Sequence, residues 1–270
     1  MRNLFLLLVS ITLVLACKDS AKEAVAVADE EIAPIAANSD WAINHLKGKV
    51  KSIEESHYTP DSLGSISAMD SCCTEVEVHN ENGFVVKYYE TDSDGTVTEE
   101  TVIEYVEGDE FKSARTTIDG KEVFVRVANY DADGKLLDAT DTDSTGQITY
   151  YYDNMIENEI GQILSGKMYS ADSTFMGTWT RKYTDGMETG RGWSDQDGNV
   201  LDDTTGELNE KGWLAKMTTV NTDAKGVSTT TVETMVYDSF DEMGNWTQRT
   251  EFDNDGKTEQ VEKRVYTYFE

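Results

Sequence analysis

Cysteine, proline, histidine and positive charge are all scarce in this chain of 270 residues. Three Cys, two Pro and three His stand beside 23 Lys plus Arg, against 52 Asp plus Glu. The formal charge of −29 makes the chain a polyanion, so electrostatic affinity for nucleic acid is excluded as a binding principle. Three histidines, His45, His57 and His79, stand at no metal-ligand spacing, and Cys72 and Cys73 are adjacent, a placement far from preferred disulfide geometry. These two Cys therefore read as small side chains at the start of a strand rather than as a cross-link or a metal pair. There is no Gly-x-Ser-x-Gly elbow, no His-Glu-x-x-His and no phosphate loop. No apolar run is long enough to span a bilayer as a helix. Hydrophobic residues make up 38%, which predicts a thin core, yet 10% aromatics are too many for a disordered acidic chain.

The first residues have the layout of a secretory signal: Arg2, then an apolar run from Leu4 to Leu15 broken by Ser10 and Thr12, then Ala16 and Cys17. Val14-Leu15-Ala16-Cys17 resembles the lipobox of bacterial lipoproteins. That resemblance implies removal of residues 1–16, acylation of Cys17 and attachment of the mature chain to a lipid bilayer. Residues 17–44 are rich in Ala, Glu and Asp and read as an acidic, solvated tether, and the charged run after Cys17 resembles the surface-export signal of Bacteroidetes-type lipoproteins. The expected location is the bacterial outer membrane, on the cell surface or the periplasmic face.

From residue 45 to 270 glycines recur with a period of 12 to 14, as in Gly83, Gly95, Gly108, Gly120, Gly134 and Gly146. Several close the pattern Asp-x-Asp-Gly, at Gly95, Gly134, Gly198 and Gly256, where Asp can hydrogen-bond the backbone and Gly accepts a left-handed conformation. Between these turns Val, Thr, Tyr and charged residues alternate, as in Glu122, Phe124 and Arg126 opposite Val123, Val125 and Val127. The pattern predicts an all-β domain, a long antiparallel meander of repeated hairpins with about fourteen strands in a twisted or curled sheet. A closed barrel or propeller is the alternative. A short helical turn is expected over Trp41–Leu46, capped by Asp40.

Leu46-Lys47-Gly48-Lys49-Val50 with Glu55 and Tyr58, then Tyr237-Asp238, Gly244-Asn245-Trp246 and Tyr266-Thr267-Tyr268, resemble Bacteroidetes envelope lipoproteins that carry tyrosine-aspartate (YD) repeats, related in pattern to RHS repeat proteins. The resemblance implies a secreted β-repeat protein and carries no catalytic residues.

Three chemistries merit residue-level expectations. Trp179, Arg181, Tyr183, Arg191, Trp193 and Trp213 cluster in the C-terminal half, where aromatic faces could stack a sugar while Arg and carboxylates meet its hydroxyls; strand packing is the plainer use of these Trp. Asp253, Asp255 and Glu262 mimic the spacing of a calcium loop, though Asp and Gly are required there by turn geometry alone. No other cofactor is expected. With so many acids, no carboxylate pair is singled out for glycan hydrolysis. The expected role is a non-enzymatic, lipid-anchored envelope protein presenting an extended face to a protein or polysaccharide partner. An envelope glycan hydrolase and an immunity-type or structural repeat protein are the alternatives.

Overall fold

The structure, a computed structural model, describes residues 36–60, 69–106, 110–223 and 225–270, and of residues 69–73 the backbone alone. The signal, Cys17 and most of the tether lie outside the described residues. Among the described residues sixteen antiparallel strands follow one another in chain order, from β1 (Val50–Tyr58) and β2 (Met69–His79), which contains Cys72 and Cys73, to β15 (Trp246–Phe252) and β16 (Thr258–Tyr268). Each strand pairs with its sequence neighbours. The last then pairs with the first, Val50 opposite Tyr268 and Tyr58 opposite Val261, so the sheet is a closed barrel.

The open meander is thereby corrected in favour of the barrel, and fourteen strands become sixteen. Closure satisfies the two rows of backbone groups that a meander would leave at its edges. The glycine period breaks between Gly161 and Gly186 because the turn from Ser170 to Thr174 uses Ser173, at a φ of 65°, in the place other turns give to Gly. Two glycines nearby, Gly166 and Gly177, lie inside strands β9 (Ile163–Ser170) and β10 (Phe175–Thr184) instead.

The turns themselves follow the expected chemistry. Asp195 Oδ1 accepts from the backbone N–H of Asp197 and Asn199, and Asp92, Asp131, Asp143, Asp223 and Asp253 do the same at their own turns. Asp253 and Asp255 are thus held at an exposed tip, while Glu262 is the fifth residue of β16, buried and paired with Arg249. Arg249, opposite Glu262 in the register, lies four residues before Asp253, so at about 3.3 Å per residue Glu262 is about 13 Å from the turn. The three do not form a calcium site.

One end of the barrel is plugged. Helix α1 (Asp40–Ile43) is capped by Ser39, whose Oγ accepts from the Ala42 N–H; Asp40, the expected cap, instead accepts from the Val85 N–H. Residues 36–44, read as tether, belong to this folded plug. The Trp41 N–H donates to the Gly83 carbonyl, and His45 Nε2 meets the Asp185 carbonyl at 3.1 Å. Lys47 and Asn245 exchange two hydrogen bonds. These partners sit on the β2–β3, β10–β11 and β14–β15 turns, all at one end. Gly83 must be Gly: its φ is +88°, and a Cβ there would lie 2.5 Å from the Trp41 ring. Trp41, Leu46, Val50 and Ile53 form a buried cluster against Tyr266, Tyr268 and Phe269, across the seam where β1 meets β16.

Candidate lumenal site

Alternation decides which side chains enter the barrel. The cross-strand pairs Arg126–Asp141, Tyr152–Met168, Trp179–Trp193 and Arg181–Arg191 lie on one face, and so do Glu55–Arg264 and Glu262–Arg249. That face looks inward. Cavities lined by residues of this set, one bordered by Arg181 with Trp179 and Trp193, the other by Arg181 with Arg249 and Arg264, place it in the lumen. Of the described arginines only Arg115, paired with Glu122 and half exposed, faces out.

The larger cavity holds about 530 Å³. Its apolar wall comes from β5 (Phe111–Ile118) through β9, with Phe111, Leu136, Met155, Ile163 and Met168, and Ala128 and Ala139 leave room by being small. Trp179 of β10 and Trp193 of β11 (Met187–Asp195) continue the lining on the next two strands. Glycine makes this part of the lining flat. A Cβ at Gly166 would lie 2.7 Å from the Trp179 ring and one at Gly177 2.6 Å from the Trp193 ring, so each indole rests against bare backbone of the neighbouring strand.

Polar groups enter this chamber at a few points. Asp141, 1% exposed, accepts two hydrogen bonds of 2.7 Å from Arg126 and one of 2.9 Å from the Tyr152 hydroxyl. The Asp141 hydrogen bonds raise the Arg126 pKa, and burial pushes the Tyr152 hydroxyl up to about 12. Arg181, Arg191 and Asp202 complete the lining.

A second cavity of about 360 Å³ lies beneath the plug, with Asp40 and Ile43 as its roof and Tyr183, Trp213, Tyr237 and Trp246 around it. Trp213, 5% exposed, packs on Tyr237 and stacks on Phe240 at ring distances of 5.0 and 5.4 Å. Of the six aromatic and arginine residues expected to bind ligand, four line the larger cavity. Tyr183 and Trp213 line the second, which Arg181 also borders.

The opposite sector of the lumen is charged. His57 Nε2 lies 3.4 Å from Glu55 and 3.5 Å from Glu75, with the Gln260 amide at 2.7 Å from Nδ1. The contact with Glu75 is the main influence raising the His57 pKa, ahead of the opposing effect of burial, and the same contact lowers that of Glu75. Glu55, His57 and Glu75 could present three ligand atoms to a metal, but Arg264 also holds Glu55, so the group is already a balanced ion network. Burial raises the Glu77 pKa beside it.

Alternation in the sequence places Arg126 opposite the valines of its strand, but nothing local marks that face as the inside. Asp141, Tyr152 and the Glu55–His57–Glu75 group escape sequence reasoning for the same reason, since their partners come from other strands.

No family model matches this sequence, and no curated protein matches it. Among solved structures, a porin-like protein from Bacteroides uniformis is similar over 82% of this chain and 98% of its own, with 12% identity and a TM-score of 0.52. That likeness shows the fold. A porin-like protein from Bacteroides vulgatus (82% and 100% covered, 10% identity, TM-score 0.29) and a putative outer membrane lipoprotein-sorting protein domain from Vibrio parahaemolyticus (81% and 86%, 9%, 0.25) superpose too loosely to carry an argument.

Proposed function

We propose that this chain is a non-enzymatic, lipid-anchored envelope protein that receives a small, largely apolar ligand inside its barrel. One observation carries the reading: a chamber of about 530 Å³ lined by apolar side chains and by two indoles laid over glycines of the neighbouring strands. Ligand pockets have this size and this balance of apolar lining with few polar groups. The expectation of an extended binding face gives way because closure turns these aromatics inward. A polysaccharide cannot thread a lumen plugged by Trp41 and its helix, so only the end of a glycan could enter.

The outer surface supports an aqueous exterior. Lys112–Glu104, Lys182–Asp203 and Lys216–Glu207 pair across it, and the carboxylate of Glu104 is 57% exposed. Lys or Arg on the lipid face of a membrane barrel costs about 2–4 kcal/mol each at the bilayer midplane. Attachment then falls to the acylated Cys17. With Cys17→Ser the protein should leave the membrane fraction, and retention there would refute the anchor.

The binding test is a titration of the secreted Cys17→Ser form with the neutral fluorophore N-phenyl-1-naphthylamine. One saturable site with energy transfer from tryptophan is expected, weakened in Trp193→Ala and closed by Ala139→Phe. Binding untouched by both substitutions would place the ligand outside the chamber.

A further inference from the structure

The chamber's own charges say what kind of ligand it takes. Arg181 on β10 and Arg191 on β11 are directly opposed in the register, two side chains above the Trp179–Trp193 pair on the same inward face. Like charges directly opposite one another on a sheet are destabilising. Neighbouring carboxylates do little to relieve the repulsion here. Glu188 approaches Arg181 at 3.4 Å with both groups substantially exposed, Asp202 lines the cavity without an ion pair to either arginine, and Arg191 has no ion pair among the described residues. Elsewhere in the lumen arginines are matched: Arg126 by Asp141, Arg249 by Glu251 and Glu262, Arg264 by Glu55. The Trp179 indole N–H is also buried without an acceptor. An arginine without an ion pair, a second met by one exposed carboxylate and by the face of Trp179 at 5.7 Å, and an unmet indole donor thus meet at the edge of an apolar chamber, in a protein whose net charge is −29.

We infer that the ligand is an amphiphile whose anionic head, a carboxylate, is held between Arg181 and Arg191 while its apolar body lies against Trp179, Trp193, Met155 and Met168. Guanidinium groups grip a carboxylate through two parallel hydrogen bonds, and a bound anion converts the repulsion between the arginines into two attractions. This rests on the lumenal reading above and adds to it the chemistry of the head group.

The test compares dodecanoate with dodecanol by calorimetric titration of the secreted Cys17→Ser form, in the native chamber and in Arg191→Gln. Dodecanoate should bind about ten- to a hundredfold more tightly than dodecanol, the effect expected of hydrogen bonds to a charged group. Arg191→Gln should abolish most of that preference, weakening dodecanoate far more than dodecanol. Without ligand, the same variant should melt at or above the temperature of the parent, because it removes a like-charge contact. Equal binding of acid and alcohol would overturn the anionic head while leaving the apolar chamber intact. Failure of both to bind would overturn the chamber itself. A variant that loses stability and loses both ligands alike would show that Arg191 is a structural residue, which also overturns the inference. Inorganic phosphate competing as well as dodecanoate would show a simple anion site without the apolar body, and that too would count against it.

Discussion

Replacing Trp41 by Ala tests whether the plug also locks the barrel. The side chain is 2% exposed, its Nε1 donates to the Val50 carbonyl at 2.8 Å, and it packs on Val50 and Ile53 of β1 with Phe269 beyond β16. Truncating a buried Trp costs about 3–5 kcal/mol, made up of lost transfer energy and the cavity left behind. The loss should be greatest at the β1–β16 seam, where Val50, Ile53 and Phe269 lie, with a smaller share at His79 and Gly83 beside β2. Trp41→Phe separates the causes: it keeps most of the ring and removes the indole donor, at a cost of about 1 kcal/mol for the hydrogen bond. Urea unfolding gives the totals. Amide hydrogen exchange then locates them, with protection falling first at Ile53, Glu55, Arg264 and Tyr266 while the β7–β8 pairing, between Leu136–Asp143 and Ile148–Glu157, is unaffected. A cost below about 1.5 kcal/mol for Trp41→Ala, or protection lost evenly around the barrel, would refute the idea that the plug holds the seam.

Asp141→Asn leaves Arg126 without its bidentate partner; because the arginine is partly exposed, the expected loss is about 2–3 kcal/mol by chemical denaturation, and an unchanged midpoint would contradict the burial of that pair. The histidines should act in opposite directions on stability against pH. His57 has a raised folded pKa, from Glu75 first, so its contribution is complete below about 6.5 and is lost as pH rises through the folded value; melting curves of His57→Gln should lack that decline. His79, lowered to about 4 by burial, stays neutral when folded while the unfolded chain takes up a proton, so stability should fall from about pH 6.5 towards 4, and His79→Gln should flatten that side. Millimolar calcium should leave the melting temperature unchanged, since the Asp253 carboxylate already accepts from the N–H of Asp255 and Lys257; a calcium-dependent rise abolished by Asp253→Asn would show otherwise.

What can be read from the chain follows the range of the interaction that fixes it. Turns depend on contacts four residues apart, and Asp195 bonding the Asn199 N–H while Gly198 takes a φ of +83° is written within five letters. Faces depend on alternation, so the two-residue spacing of Trp179, Arg181 and Tyr183, and of Arg191 and Trp193, is enough to group them. Closure is different. The bond between Ser52 Oγ and Thr267 Oγ1 joins residues 215 positions apart, and whether sixteen twisted strands bring them together depends on the sum of every strand's twist and stagger. No local pattern reports that sum. Yet closure alone decides whether the Trp and Arg face is an exposed platform or the wall of a chamber, and whether Arg181 and Arg191 meet water or an enclosed ligand. The same residues, grouped correctly by alternation, therefore change their chemical meaning through a single pairing between the two ends of the chain. The plug acts at that place as well. Asn245, on the turn before β15, bonds both carbonyl and N–H of Lys47 and the hydroxyl of Tyr268, tying the entering chain, the last hairpin and the last strand in one contact. Closing the barrel and closing its end are then one structural event.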